Sequence, residues 1–225
     1  MKKAIIFHFI LFLFIGYVGS QEVIPKITIE TFEEHLMHYF ENKNDILIYE
    51  IISIYENNNY RKMLDQLDNH LLFFFYGIKV DNINRYNNFM SIIKKRKTQR
   101  LINIFDTIEN NDIGLFLEQQ EPNSELNDIY WTLFFSSGNN KYINYLITII
   151  NNYYNETKNV NYYLAARSAM WSMALNIKTY SQIREYFNKS DIKNILKEYI
   201  VNTDPEKMQN ETIEFIRQQR EKGIW

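Results

Sequence analysis

The chain has 225 residues, with 25 lysines and arginines against 27 aspartates and glutamates, so its formal charge of -2 sets up no global field toward nucleic acid or acidic membranes. Six glycines and three prolines leave little material for strands, hairpin turns or phosphate-binding loops. The absence of cysteine excludes a thiol nucleophile, a disulfide framework and a bacterial lipid anchor.

In chain order, Met1-Lys2-Lys3, an apolar run over residues 4–15 and the small-residue stretch Gly16-Tyr17-Val18-Gly19-Ser20 have the three parts of a secretory signal. Cleavage is expected after Ser20; the alternative is an uncleaved N-terminal anchor. The expected localisation is therefore exported, periplasmic or secreted. Residues 21–225 are expected to form a single all-helical domain, about 205 residues being enough to bury roughly 70% of the unfolded surface.

Thr31-Phe32-Glu33-Glu34 reads as a capping box for a first helix with Phe32, Leu36, Tyr39 and Phe40 on its apolar stripe. Helices are expected next over residues 46–55, 60–76, 83–97, 101–108 and 113–117, separated by Asn-rich breaks. Phe73-Phe74-Phe75-Tyr76 cannot share one helix face, since consecutive positions lie about 100° apart, so this segment should be buried on several sides.

Pro122-Asn123-Ser124 is a breaker followed by a cap, and Leu126, Ile129, Tyr130, Leu133 and Phe134 form the stripe of the helix that follows. Gly138 should end that helix in a left-handed conformation. A returning helix carries Tyr142, Ile143, Leu146, Ile147 and Ile150. Further helices are expected over residues 162–176, 181–187 and 192–201, and Asp204-Pro205 pairs an N-cap with proline at the first helical position to start the last. The fold class is all-α. Its antiparallel hairpin units fall near 46–76, 101–120, 125–152 and 162–189, which is the pattern of a degenerate α-solenoid.

Two stretches carry a resemblance. Tyr130-Trp131-Thr132-Leu133-Phe134-Phe135-Ser136-Ser137-Gly138-Asn139 and the later Ala165-Ala166-Arg167-Ser168-Ala169-Met170-Trp171-Ser172-Met173-Ala174 together resemble a set of uncharacterised bacterial secreted helical proteins. That set has a W-x-x-F-F-A-T-G-D motif and a downstream Ala-rich helix ending in W-S-L. Ser136-Ser137 and Asn139 depart from the pattern. The resemblance implies a helical fold and carries no activity, cofactor or catalytic residue. Its structural motif residues are Trp131, Phe134, Phe135, Gly138, Ala165, Ala169 and Trp171, and both tryptophans are expected in the core.

Few residues suggest chemistry. His35 and His38 stand at i, i+3 beside Glu34, one short of the three ligands that zinc requires, so no metal and no cofactor is expected. Glu118, Glu121, Glu125 and Asp128 read as a solvated face rather than a carboxylate cluster. Lys94-Lys95-Arg96-Lys97 is the one concentrated charge; it contains no aromatic ring to stack on bases, so nucleic acid is not expected as a partner. With Tyr153, Tyr154 and Tyr162 it forms the candidate partner surface. The expected function is that of an exported, non-enzymatic protein- or peptide-binding scaffold. The alternatives are an envelope-associated structural protein held by its N-terminus, the one case in which a membrane is a partner, and an enzyme using an unrecognised carboxylate or histidine site.

Overall fold

The computed structural model describes residues 28–60 and 64–225; the expected signal segment 1–20 lies outside them. Among the described residues all regular structure is helical, as the low glycine and proline content implies. The elements are α1 (Ile29–Asn42), α2 (Leu47–Glu56), a 3-10 turn (Asn58–Tyr60), α3 (Leu64–Asp81), α4 (Ile83–Arg96), α5 (Gln99–Asn110) and α6 (Ile113–Glu118). There follow α7 (Ser124–Ser137), α8 (Lys141–Tyr153), α9 (Val160–Thr179), α10 (Ser181–Lys189), α11 (Asn194–Asn202) and α12 (Pro205–Glu221).

Several boundaries have a local cause. The Asn82 side chain accepts from the Arg85 amide at 3.0 Å and starts α4; the Asp204 carboxylate accepts from the Glu206 amide at 2.9 Å and starts α12, with Pro205 as its first residue. Gly138 ends α7 at φ 72°, its N–H donating to the Phe134 carbonyl at 2.7 Å. Two caps differ from the sequence expectation. Thr28, not Thr31, caps α1, and Asn123 rather than Ser124 caps α7, accepting from the Leu126 amide at 2.9 Å. In each case an equally competent oxygen lay one to three residues upstream, which extends the helix by that much.

The larger difference is α3. The sequence expectation ends this helix at residue 76, yet it runs on through Gly77 to Asp81. The reason is the partner helix: a Cβ built on Gly77 would lie 1.8 Å from Ser136 Oγ and 3.3 Å from the Leu133 carbonyl oxygen of α7. The missing side chain lets two backbones meet.

Around that crossing are two apolar clusters. One gathers side chains of α1 to α5, including Phe32, Ile48, Ile51, Leu71, Phe75, Phe89 and Phe105. The other gathers α6 to α11 with Phe40 of α1 and Met208 of α12. Helix α3 serves both, as its aromatic run requires: Phe74 and Phe75 belong to the first cluster, while Phe73 and Tyr76 pack against the second. Each fully buried ring of this size adds about 1.5–3 kcal/mol relative to exposure.

The hairpin expectation holds in part. α7 packs on α8 and α9 packs on α10, but α2 packs on α1 and α4, and α5 on α3 and α4. The described chain is therefore an all-helical packing in which a regular series of like units does not emerge. Nor is α7 one-sided as its stripe suggested. Asn127, Trp131, Phe135, Ser136 and Ser137 are buried along with Leu126, Tyr130, Leu133 and Phe134, because α1, α3, α8 and α9 all pack on it.

Candidate functional site

Helix α9 is the post on which the C-terminal third is hung, since α7, α8, α10, α11 and α12 all contact it. Its small residues explain this. Ala165, Ala166, Ala169 and Ala174 are fully buried and allow neighbours to close on several faces. Across residues 160–177 the single ionisable cation is Arg167, which is only 6% exposed.

A buried guanidinium must be matched by acceptors. Arg167 Nε donates to Thr212 Oγ1 at 2.8 Å, and Nη2 donates to the Met208 carbonyl at 2.8 Å and to Tyr199 Oη at 3.0 Å. Glu211 Oε2 stands 3.5 Å from Nη2 and accepts from the Tyr199 hydroxyl. Burial, reinforced by that bond to Glu211, pushes the Tyr199 phenol up to about 12. The guanidinium carbon also lies 5.3 Å from the Tyr199 ring centroid. This network fixes α11 and α12 to α9. A second fastening closes the chain end: Tyr163 of α9 stacks on Phe215 at 4.4 Å, and Trp225 packs on both rings and donates from Nε1 to the Thr157 carbonyl at 2.9 Å.

Between α9, α12 and the first turn of α7 is a cleft of about 210 Å³. Leu164, Trp171, Met208 and Ile213 give it apolar walls; Ser124, Arg167, Ser168, Gln209 and Thr212 supply polar groups. No histidine or carboxylate is among these lining residues.

The two tryptophans, both expected in the core, separate here. Trp131 is buried, stacked on Phe135 at 5.8 Å, with Nε1 donating to Ser172 Oγ at 2.9 Å. Trp171 is only half-buried and faces the cleft, because its position on α9 points between α7 and α12, which do not close over it. Of the other motif residues, Phe134 and Phe135 are buried with Trp131, Ala165 and Ala169 have no exposure, and Gly138 is the cap already described.

The candidate partner residues fall on different elements. Lys94, Lys95, Arg96 and Lys97 are exposed at the C-terminal end of α4, where cations favour the helix dipole, and none has a carboxylate within ion-pair distance among the described residues. Tyr153, Tyr154 and Tyr162 instead lie half-buried: Tyr153 and Tyr154 pack against the second cluster, and Tyr153 meets Tyr162 ring to ring at 4.6 Å. The ring that Tyr153 meets is on α9, a pairing that spacing alone does not disclose. Neutralising Lys94, Lys95 and Lys97 together is expected to leave unfolding stability within about 0.5 kcal/mol, read from denaturation midpoints, because like charges at an exposed helix end cost little to remove.

The histidines do not converge either. His35 Nδ1 is 2.8 Å from Glu50 Oε2, and His38 Nδ1 is 2.7 Å from Glu41 Oε2, so each holds a different carboxylate. Burial lowers the pKa of His70, with Glu125 pulling the other way. Among the described residues no group of three or more histidines and carboxylates could hold a metal ion. Elemental analysis of the purified protein is expected to find no stoichiometric metal. His38→Ala should shift the melting temperature by no more than a few degrees, since an exposed pair of this kind contributes about 0–1 kcal/mol.

Arg167 is the site residue that sequence reasoning passed over. Its signal was its isolation, one cation in an otherwise uncharged helical stretch. Comparison of the chain with protein-family models, with curated proteins and with solved structures finds no match. Among the described residues no helix is long and apolar enough to cross a membrane.

Proposed function

We propose that this protein is a non-enzymatic binding module that receives a segment of a protein or peptide in the cleft between α9 and α12. The observation that carries the reading is the half-buried Trp171 beside Leu164 and Ile213, the last of which is 58% exposed. Aromatic and aliphatic walls next to an arginine are the composition from which interface anchors are built. The signal-like pattern of residues 1–20 supports placing this activity outside the cytoplasm, and the resemblance to secreted helical proteins agrees with that. Intact mass of the exported protein tests the placement: a species beginning at Gln21 is expected, and a retained N-terminus would favour the envelope-anchored alternative.

The binding reading is tested by retaining partners from the protein's own envelope on the immobilised parent and on an Ile213→Asp variant. A partner held by the parent and released by the variant, at equal melting temperature, is the expected outcome. Equal retention by both would place the interface elsewhere, the exposed run Lys94-Lys95-Arg96-Lys97 being the next surface to examine.

A further inference from the structure

The guanidinium of Arg167 is accounted for at two of its three nitrogens. Nε and Nη2 are occupied by Thr212, Met208, Tyr199 and, more distantly, Glu211; Nη1 has no hydrogen-bond acceptor among the described residues. The side chain is more than nine-tenths buried, and it contributes to the lining of the cleft together with Trp171, Leu164, Ser168 and Ile213. Its two Nη1 protons are thus donors held in a fixed plane by the bonds on the other nitrogens. The amino end of α7 reaches the same rim through Ser124.

We infer that the cleft recognises a carboxylate attached to a small apolar group, the carboxylate accepting from Arg167 Nη1 and the apolar group lying between Trp171 and Ile213. This rests on the reading of the cleft as a peptide-binding site and makes it specific: the segment received is a chain end, not an internal stretch. The size agrees, since about 210 Å³ is below the roughly 300–1,000 Å³ of pockets for drug-sized ligands and suits one side chain with its carboxylate. Glu211 does not pre-empt the site, because its contact is on Nη2 and its oxygen is engaged by Tyr199. A charge-assisted bond to a guanidinium is about twice as strong as a neutral one, which is enough to distinguish a carboxylate from its amide. The same chemistry could come from a peptide C-terminus or from a free aliphatic acid.

The test titrates the full protein with N-acetyl-Ala-Leu, with its C-terminal amide and with 4-methylpentanoate, following tryptophan fluorescence against a Trp171→Phe control. The acid dipeptide is expected to bind at least tenfold more tightly than its amide. Since Arg167→Gln removes the anchor of α12 and can unfold it, the charge is probed instead at the exposed rim: Ile213→Asp should weaken the acid several-fold more than Ile213→Asn does. Equal binding of acid and amide overturns the carboxylate assignment and leaves peptide binding standing. No binding of any probe, with an envelope partner still lost on Ile213→Asp, also overturns it while keeping the cleft as an interface. If 4-methylpentanoate binds as well as the dipeptide, the carboxylate assignment holds and the peptide reading fails.

Discussion

Trp131→Ala is expected to lower stability by about 3–5 kcal/mol, the range for emptying a large aromatic site in a packed core. Trp171→Ala should cost much less. The rings differ in what surrounds them. Trp131 is 5% exposed, is stacked on Phe135 and set edge-on to Phe134 at 6.2 Å, and donates to Ser172 Oγ, which in turn donates to the Ala169 carbonyl at 3.1 Å. Truncation opens a cavity that the small residues of α9 cannot fill, and it leaves the buried Ser172 oxygen without its donor. Trp171 has the cleft on one side, so its removal costs contact on the other side only. For a chain of this size about 1 kcal/mol moves the melting temperature by roughly 2–4 °C, so thermal scans should separate the variants by several degrees. Equal midpoints for the two alanine variants would mean that Trp171 is as deeply packed as Trp131 and that the cleft does not exist in solution.

Gly77→Ala should destabilise the protein by about 1–3 kcal/mol through overpacking, although glycine to alanine inside a helix ordinarily gains about 0.8–1.0 kcal/mol. The sign is decided at the α3–α7 crossing. The new methyl would meet Ser136 Oγ at 1.8 Å and Ser136 Cβ at 3.1 Å. The hydroxyl could turn away only by giving up its bond to the Leu133 carbonyl at 3.0 Å, and the backbone oxygen at 3.3 Å could not turn at all. Ser136→Gly removes both side-chain atoms in the way. The double variant should therefore be more stable than the sum of the single changes predicts, a coupling of about 1 kcal/mol or more. A Gly77→Ala protein as stable as the parent would show that α3 and α7 stand further apart than described.

Much of this fold was legible because local signals agreed with one another. Asp204-Pro205 started α12 where expected, Gly138 ended α7, and the stripe of α8 from Tyr142 to Ile150 is buried at every expected position. What could not be read was which helix meets which. A stripe says that a face is covered but not by what, so α2 was expected beside α3 and packs on α1 and α4. The same gap divides the tryptophans: each lies in a run of small or apolar residues, and only the placement of α12 leaves one of them at a cleft. The end of α3 was set too early for a related reason, since glycine weakens a helix taken alone and only the neighbouring α7 shows the use of the side chain that Gly77 lacks. Arg167 carried a legible oddity, but its acceptors come from α11 and α12, more than thirty residues downstream.

Helix α12 buries only Met208 and Gln219 and packs chiefly on α9, so its attachment is one side chain in the second core together with a short set of polar and aromatic clasps. Such an element detaches at a small fraction of the free energy needed to unfold the whole chain. Its amides should therefore exchange with deuterium well before those of α3 or α7. Because α12 is also one wall of the cleft, a ligand that fills it is expected to slow that exchange by mass action.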